Sequence, residues 1–188
     1  MKRILETLLL IILLLPLTAC GGAQASKNNS VLFEGVRPGQ TVQDVKTMFS
    51  DEKKYTMEER ENHYELIQKT EHLLVIGKTD NSPFTVFGYE APYLMIDYDP
   101  VKERTTNVSE NLLIGDIYSA DMTNAVTFLN ESIAKIAELK DTTKNDSYET
   151  YLYNIQLEEK TYILKVYAIW GDKELNTNSH INVSIAEP

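Results

Sequence analysis

Tyr151-Leu152-Tyr153-Asn154-Ile155-Gln156-Leu157 runs into Glu158-Glu159-Lys160 and returns as Tyr162-Ile163-Leu164-Lys165-Val166-Tyr167-Ala168-Ile169-Trp170. This stretch decides the fold. Tyr151, Tyr153, Ile155 and Leu157 recur at every second position, the side-chain period of a β-strand. Tyr162, Leu164, Val166, Ala168 and Trp170 repeat that period on the way back, and the short charged run between them turns the chain. Two such runs joined so closely pair as an antiparallel hairpin. Ile163, Tyr167 and Ile169 make the other face of the return strand partly apolar. Further on, Ile181, Val183 and Ile185 alternate with Asn182 and Ser184, the pattern of a strand with one wet side.

Upstream of the hairpin the period changes. Over residues 121–140, Met122, Ala125, Val126, Leu129, Ile133, Ile136 and Ala137 recur at three- and four-residue steps, which predicts an amphipathic helix with Ser119 or Asp121 as its cap. Strands are predicted at Tyr64-Glu65-Leu66-Ile67-Gln68 and His72-Leu73-Leu74-Val75-Ile76-Gly77, with Lys69-Thr70-Glu71 as the turn. Further strands follow at residues 84–89, 93–98 and 111–118, the last with Gly115 as a possible bulge. Residues 51–62 are so charged that they read as solvated, with at most a helical turn around Met57.

Earlier still, Thr41 followed by Asp44 marks a helix start, and Val42, Val45, Met48 and Phe49 give a short helix over about residues 42–50. The expectation is an α+β domain: an antiparallel sheet of about seven or eight strands with a short N-terminal helix and one longer amphipathic helix packed on it. The order hints at two related halves, each a helix followed by a meander.

The N-terminus carries the information about place. Lys2 and Arg3 precede an uninterrupted apolar run at residues 8–15, and Leu17-Thr18-Ala19-Cys20 follows. This resembles a bacterial lipoprotein signal: Leu17, Thr18 and Ala19 suit the signal peptidase, and Cys20 receives the lipid. The apolar stretch is short for a transmembrane span and holds Glu6 and Pro16.

The expected organisation is a removed signal peptide at residues 1–19, a lipidated flexible tether at 20–30 and a single domain at 31–188. The location is the extracytoplasmic face of the cell membrane, or the outer membrane if the source has two. The chain's one cysteine is the lipidation site itself, so the domain relies on its apolar core without disulfides. With a net charge of −10 the chain repels nucleic acid and anionic headgroups, so nucleic acid is not an expected partner.

Gly39-Gln40-Thr41-Val42-Gln43-Asp44-Val45 resembles the Gly-x-Thr-x-x-x-Val start of small envelope lipoprotein domains of the SmpA/OmlA (BamE-like) and β-lactamase-inhibitor-like type. The glycine that often closes the motif is replaced by Phe49-Ser50. The resemblance covers about fifteen residues and implies short helices on an antiparallel sheet, with function through protein–protein contacts.

Motifs for chemistry are sparse. His63, His72 and His180 have no metal-binding spacing, and the serines have no nucleophile elbow. Asp97 and Asp99 are the metal candidates, with Asp116 or Glu103 as helpers, although Pro100 points to a strand end. No cofactor and no catalytic residue is expected. Tyr151, Tyr153, Tyr162, Tyr167 and Trp170 are the candidate binding face. The leading expectation is a non-enzymatic module that binds an envelope protein or peptide. The alternatives are a cell-wall or carbohydrate-directed hydrolase using paired carboxylates, and a small solute-binding sensor.

Overall fold

The computed structural model describes residues 32–113, 120–171 and 178–188. The deciding hairpin forms as its alternation requires. Strands β8 (Tyr148–Leu157) and β9 (Lys160–Ile169) pair antiparallel over their full lengths, from Tyr148 opposite Ile169 to Leu157 opposite Lys160. Glu158, at φ 55°, makes the turn. Tyr153, Ile155, Leu157, Tyr162, Leu164, Val166 and Ala168 are all buried on one face.

Strand β10 (His180–Ala186) adds to β9, and β6 (Arg104–Leu112) adds to β10. Beyond β6 come β5 (Leu94–Asp99), β2 (Lys69–Lys78) and β1 (Tyr55–Tyr64), while β7 (Ala137–Lys144) closes the other side. The result is one eight-stranded antiparallel sheet in the order β1-β2-β5-β6-β10-β9-β8-β7. A small second hairpin, β3 (Phe84–Val86) with β4 (Tyr89–Ala91), sits between β2 and β5 in the chain. The molecule is an α+β fold dominated by antiparallel sheet.

The order is palindromic. Helix α1 (Val42–Met48) precedes the meander β1-β2-β5-β6, and α2 (Ala120–Ile133) precedes the meander β7-β8-β9-β10. The two meanders meet at β6 and β10, where Val108 faces Ile185 and Leu112 faces Ile181. Both helices share their buried side chains with one core: Val42 and Val45 from α1, and Met122, Ala125, Val126, Leu129 and Ile133 from α2. The Thr41 cap is formed, with its hydroxyl accepting from the Asp44 amide at 3.0 Å. Gly39 has φ +87°, and a Cβ there would stand 2.8 Å from Glu187 Oε1, so only glycine fits that turn without a shift.

Several sequence expectations need correcting. Helix α2 stops at Ile133, and the residues that continued its apolar spacing enter β7, where Ala137 pairs with Ile155. The charged residues read as solvated form β1, whose ladder to β2 is unbroken from Tyr55 to Tyr64. Residues 65–67, expected within a strand, make the 3₁₀ turn of that hairpin, whereas Lys69-Thr70-Glu71, expected as a turn, lies inside β2. The strand expected at 84–89 is split into β3 and β4 by Phe87 and Gly88, both at positive φ, as a two-residue hairpin turn requires. Strand β6 begins at Arg104, upstream of the expected 111–118, and positions 114–118 lie outside the described residues. So do the expected cap Ser119, the expected signal peptide and tether, and Cys20, whereas Asp121, the other expected cap, lies inside α2. Among the described residues no helix is long and apolar enough to cross a membrane.

Candidate functional site

The five aromatics proposed as one binding face do not share a face. Tyr153 and Tyr162 are buried on the helix-covered side of the sheet. Tyr153 donates to Asn130 Oδ1 at 2.8 Å, which ties β8 to α2. Tyr167 lies on the opposite side, against Tyr148 (ring centroids 5.8 Å apart) and under Lys165 Nζ (4.7 Å). Tyr151 and Trp170 alone come together, lining a cleft of about 380 Å³ between α2 and the β7–β8 turn.

At the bottom of this cleft is Glu149, which points from β8 toward α2 and is buried. Its carboxylate has two partners already: an ion pair with Lys144 across the ladder and the Tyr151 hydroxyl, which donates to Oε2 at 2.7 Å. Burial, and then that bond to a carboxylate, push the Tyr151 phenol up to about 12. A carboxylate held by both a cation and a donor is poorly placed to take a proton from substrate. The cleft therefore has binding groups without an idle acid–base pair.

Asp97 and Asp99 are each engaged locally. Asp97 sits on the sheet face away from the helices and accepts from the Asn107 amide at 2.8 Å. Burial raises its carboxyl above the usual range, and the Asn107 bond partly offsets this. Asp99 Oδ1 accepts from the backbone amides of Val101 and Lys102, an Asx turn that ends β5. Among the described residues no group of three or more His, Cys, Asp or Glu is placed to hold a metal ion. The same open face carries Asn182, whose amide donates to Asn111 Oδ1 at 3.0 Å, so its centre is polar.

Sequence reasoning missed the most exposed apolar feature. Strand β5 pairs with β2 only from His72 to Ile76, so the β1–β2 hairpin continues past its neighbour as a free arm. Three further residue pairs at strand rise make about 10 Å of ladder before the turn. Its tip carries Leu66 at 102% exposure, Ile67 at 66% and Tyr64 at 44%. Gln68, at φ 49°, closes the turn with its amide bound to the Glu65 carbonyl. The arm is charged along its side, where Lys69 pairs with Glu71 at 2.7 Å, and below it Arg60 pairs with Glu58 at 2.6 Å. At the base, Lys46 of α1 holds Glu59 at 2.6 Å. The available signal was Leu66-Ile67 inside a polar stretch, which also fits a buried strand.

The remaining anomaly is Glu110. It occupies a core position of β6, opposite Val183 and Leu94, at 1% exposure. Its Oε2 has no hydrogen-bond partner among the described residues. Burial first, then the nearby Glu34 carboxylate, raise it to about 7, with Lys78 opposing.

No family model matches this sequence, and no curated protein or solved structure is significantly similar to it.

Proposed function

We propose that the protein is a lipoprotein anchored at the extracytoplasmic face of a membrane through Cys20, and that its domain is a non-enzymatic module for binding another envelope protein. The observation that carries the reading is the apolar tip of the β1–β2 arm. Monomers do not gain by holding Leu66 and Ile67 in water at the end of a projecting ladder. Burying each in a partner's socket is worth about 1.5–3 kcal/mol. Glu61, Glu65 and Glu71 surround the tip against Lys69, so the fitting partner is an apolar socket with a basic rim. The same acidity disfavours an anionic bilayer as the tip's target.

The lipid anchor rests on Leu17-Thr18-Ala19-Cys20 behind the apolar run. Labelled palmitate should enter the wild-type product and not Cys20→Ala. Failure of that contrast removes the anchor from the proposal.

For the arm, a photoreactive residue at position 66 should crosslink one protein neighbour in intact host cells, identified by mass spectrometry. The same probe at exposed position 159, on the β8–β9 turn, should not. Ile67→Ser should weaken the purified pair at least tenfold, in keeping with the loss of one buried side chain. Equal crosslinking from both positions, or none from 66, would overturn the arm as the contact.

A further inference from the structure

We infer that the cleft between α2 and the β7–β8 turn is a binding site for a short saccharide. Trp170 supplies an aromatic wall, half-buried where β9 ends, and its amide is fixed to the Ser147 carbonyl at 2.9 Å. Around it the lining mixes apolar surface from Val126 and Tyr151 with polar groups: hydroxyl from Thr127, amide from Asn130, carboxylates from Asp146 and Glu149, ammonium from Lys144. A ring face beside planar hydrogen-bonding groups matches a pyranose, which presents an apolar C–H face and a rim of hydroxyls.

Other ligand classes fit worse. An acyl chain or apolar drug-like molecule would cover the Asp146 carboxylate and the Lys144 ammonium and replace their water with nothing. A phosphate would meet two carboxylates and one ammonium that Glu149 already holds. A neutral or amine-bearing sugar meets neither obstacle.

The floor is set before any ligand arrives. Lys144, Glu149 and Tyr151 form one chain of contacts, and Asn130 is fixed from below by the Tyr153 hydroxyl. Groups held this way lose little freedom on binding. Lys144 is two-thirds exposed, so its ammonium keeps donors for a ligand after pairing with Glu149. Asp146 makes no hydrogen bond or ion pair among the described residues, and its carboxylate stands at the rim as an acceptor. The site is independent of the hairpin arm, which belongs to the opposite end of the strand order.

Trp170 is the chain's single tryptophan, so its fluorescence reports this cleft alone. The full chain in detergent micelles would be titrated with N,N′-diacetylchitobiose and with maltose, each to about 10 mM. A saturable change in emission with at least one of them is expected. Asp146→Ala and Glu149→Gln should each raise the apparent Kd about tenfold, the loss of one good hydrogen bond to a charged group. Far-UV circular dichroism would check that both variants stay folded, and Asp146→Ala, on an exposed turn, remains a test if Glu149→Gln does not fold. Leu66→Ser should leave the titration unchanged, which separates this site from the arm. No saturable change with either sugar, or a change undiminished in a folded Asp146→Ala, would overturn the proposal.

Discussion

The two halves of the sheet have the same topology and use it differently. In the second half the outer hairpin, β7–β8, is followed by β9 along the whole length of β8, and β8 has a β7 neighbour as well from Glu149 to Ile155, with one slip in β7. In the first half the outer hairpin, β1–β2, is supported by β5 over only five residue pairs. The second half accordingly buries Tyr153, Ile155 and Leu157 on β8, whereas the outer part of β1 and β2 is exposed on both faces. The helices follow suit: α2 has 14 residues and seals its half, α1 has seven and leaves the arm free. One arrangement of strands thus serves as a packed scaffold at one end and as a projecting arm at the other.

The strongest way to break this comparison is to ask whether the halves share one core. Ile96 on β5 and Leu164 on β9 occupy corresponding strands, and both have 0% exposure. Cutting either to alanine should cost about 4 kcal/mol. If the β6–β10 seam makes one cooperative unit, Trp170 fluorescence and far-UV circular dichroism should lose the fold together in both variants. A Trp170 transition that ignores Ile96→Ala would split the molecule into two units.

Next in size is the effect of Glu110 at that seam. Its carboxyl lies at about 7 in the fold, against an ordinary 4.5, so the native state holds this proton more tightly than the unfolded chain. The resulting stability is complete below the ordinary carboxyl range and is lost as pH rises through about 7. A shift of that size corresponds to about 3 kcal/mol. Urea midpoints measured at about pH 5 and about pH 9 should differ accordingly, and Glu110→Gln should flatten the difference. An unchanged slope in that variant would move the effect elsewhere.

A smaller loss, about 1 kcal/mol, is expected from Thr41→Ala, which removes the cap of the short first-half helix. The smallest belongs to the arm itself. Leu66→Ser with Ile67→Ser should shift the unfolding midpoint by less than about 0.5 kcal/mol, because neither side chain packs against the core. A large shift would mean that the tip is structural and the contrast between the halves is overstated.

The second half was more legible than the first, for a physical reason. Tyr153, Ile155, Leu164 and Val166 alternate because one side of β8 and β9 faces the core and the other does not. Strand β1 has no such contrast past Met57, so Glu58-Glu59-Arg60-Glu61 gives no period to detect and its conformation is imposed by pairing with β2. Strand β6 hid for a related cause: a core slot is filled by Glu110, which breaks the apolar rhythm between Val108 and Leu112. The end of α2 was misjudged because Ile136 and Ala137 stay partly buried against the core after the backbone has left the helix, so helical spacing persists into β7. As for the site, Tyr151 and Trp170 were within reach of the sequence, but their cleft depends on Thr127 and Asn130, which only the docking of α2 brings near. The exposed tip could not be told from a buried strand without knowing where β5 stops.

The outermost strands bear on how neighbouring copies behave when crowded. An eight-stranded sheet ends in two rows of open backbone groups, a template on which like molecules can stack into fibres. Here one border is lined by Glu58, Glu59, Arg60 and Glu61, and the other is crooked at Lys140, where the register slips between Leu139 and Asp141. Both rims therefore discourage a further strand from joining, and dense packing of this protein need not seed polymerisation.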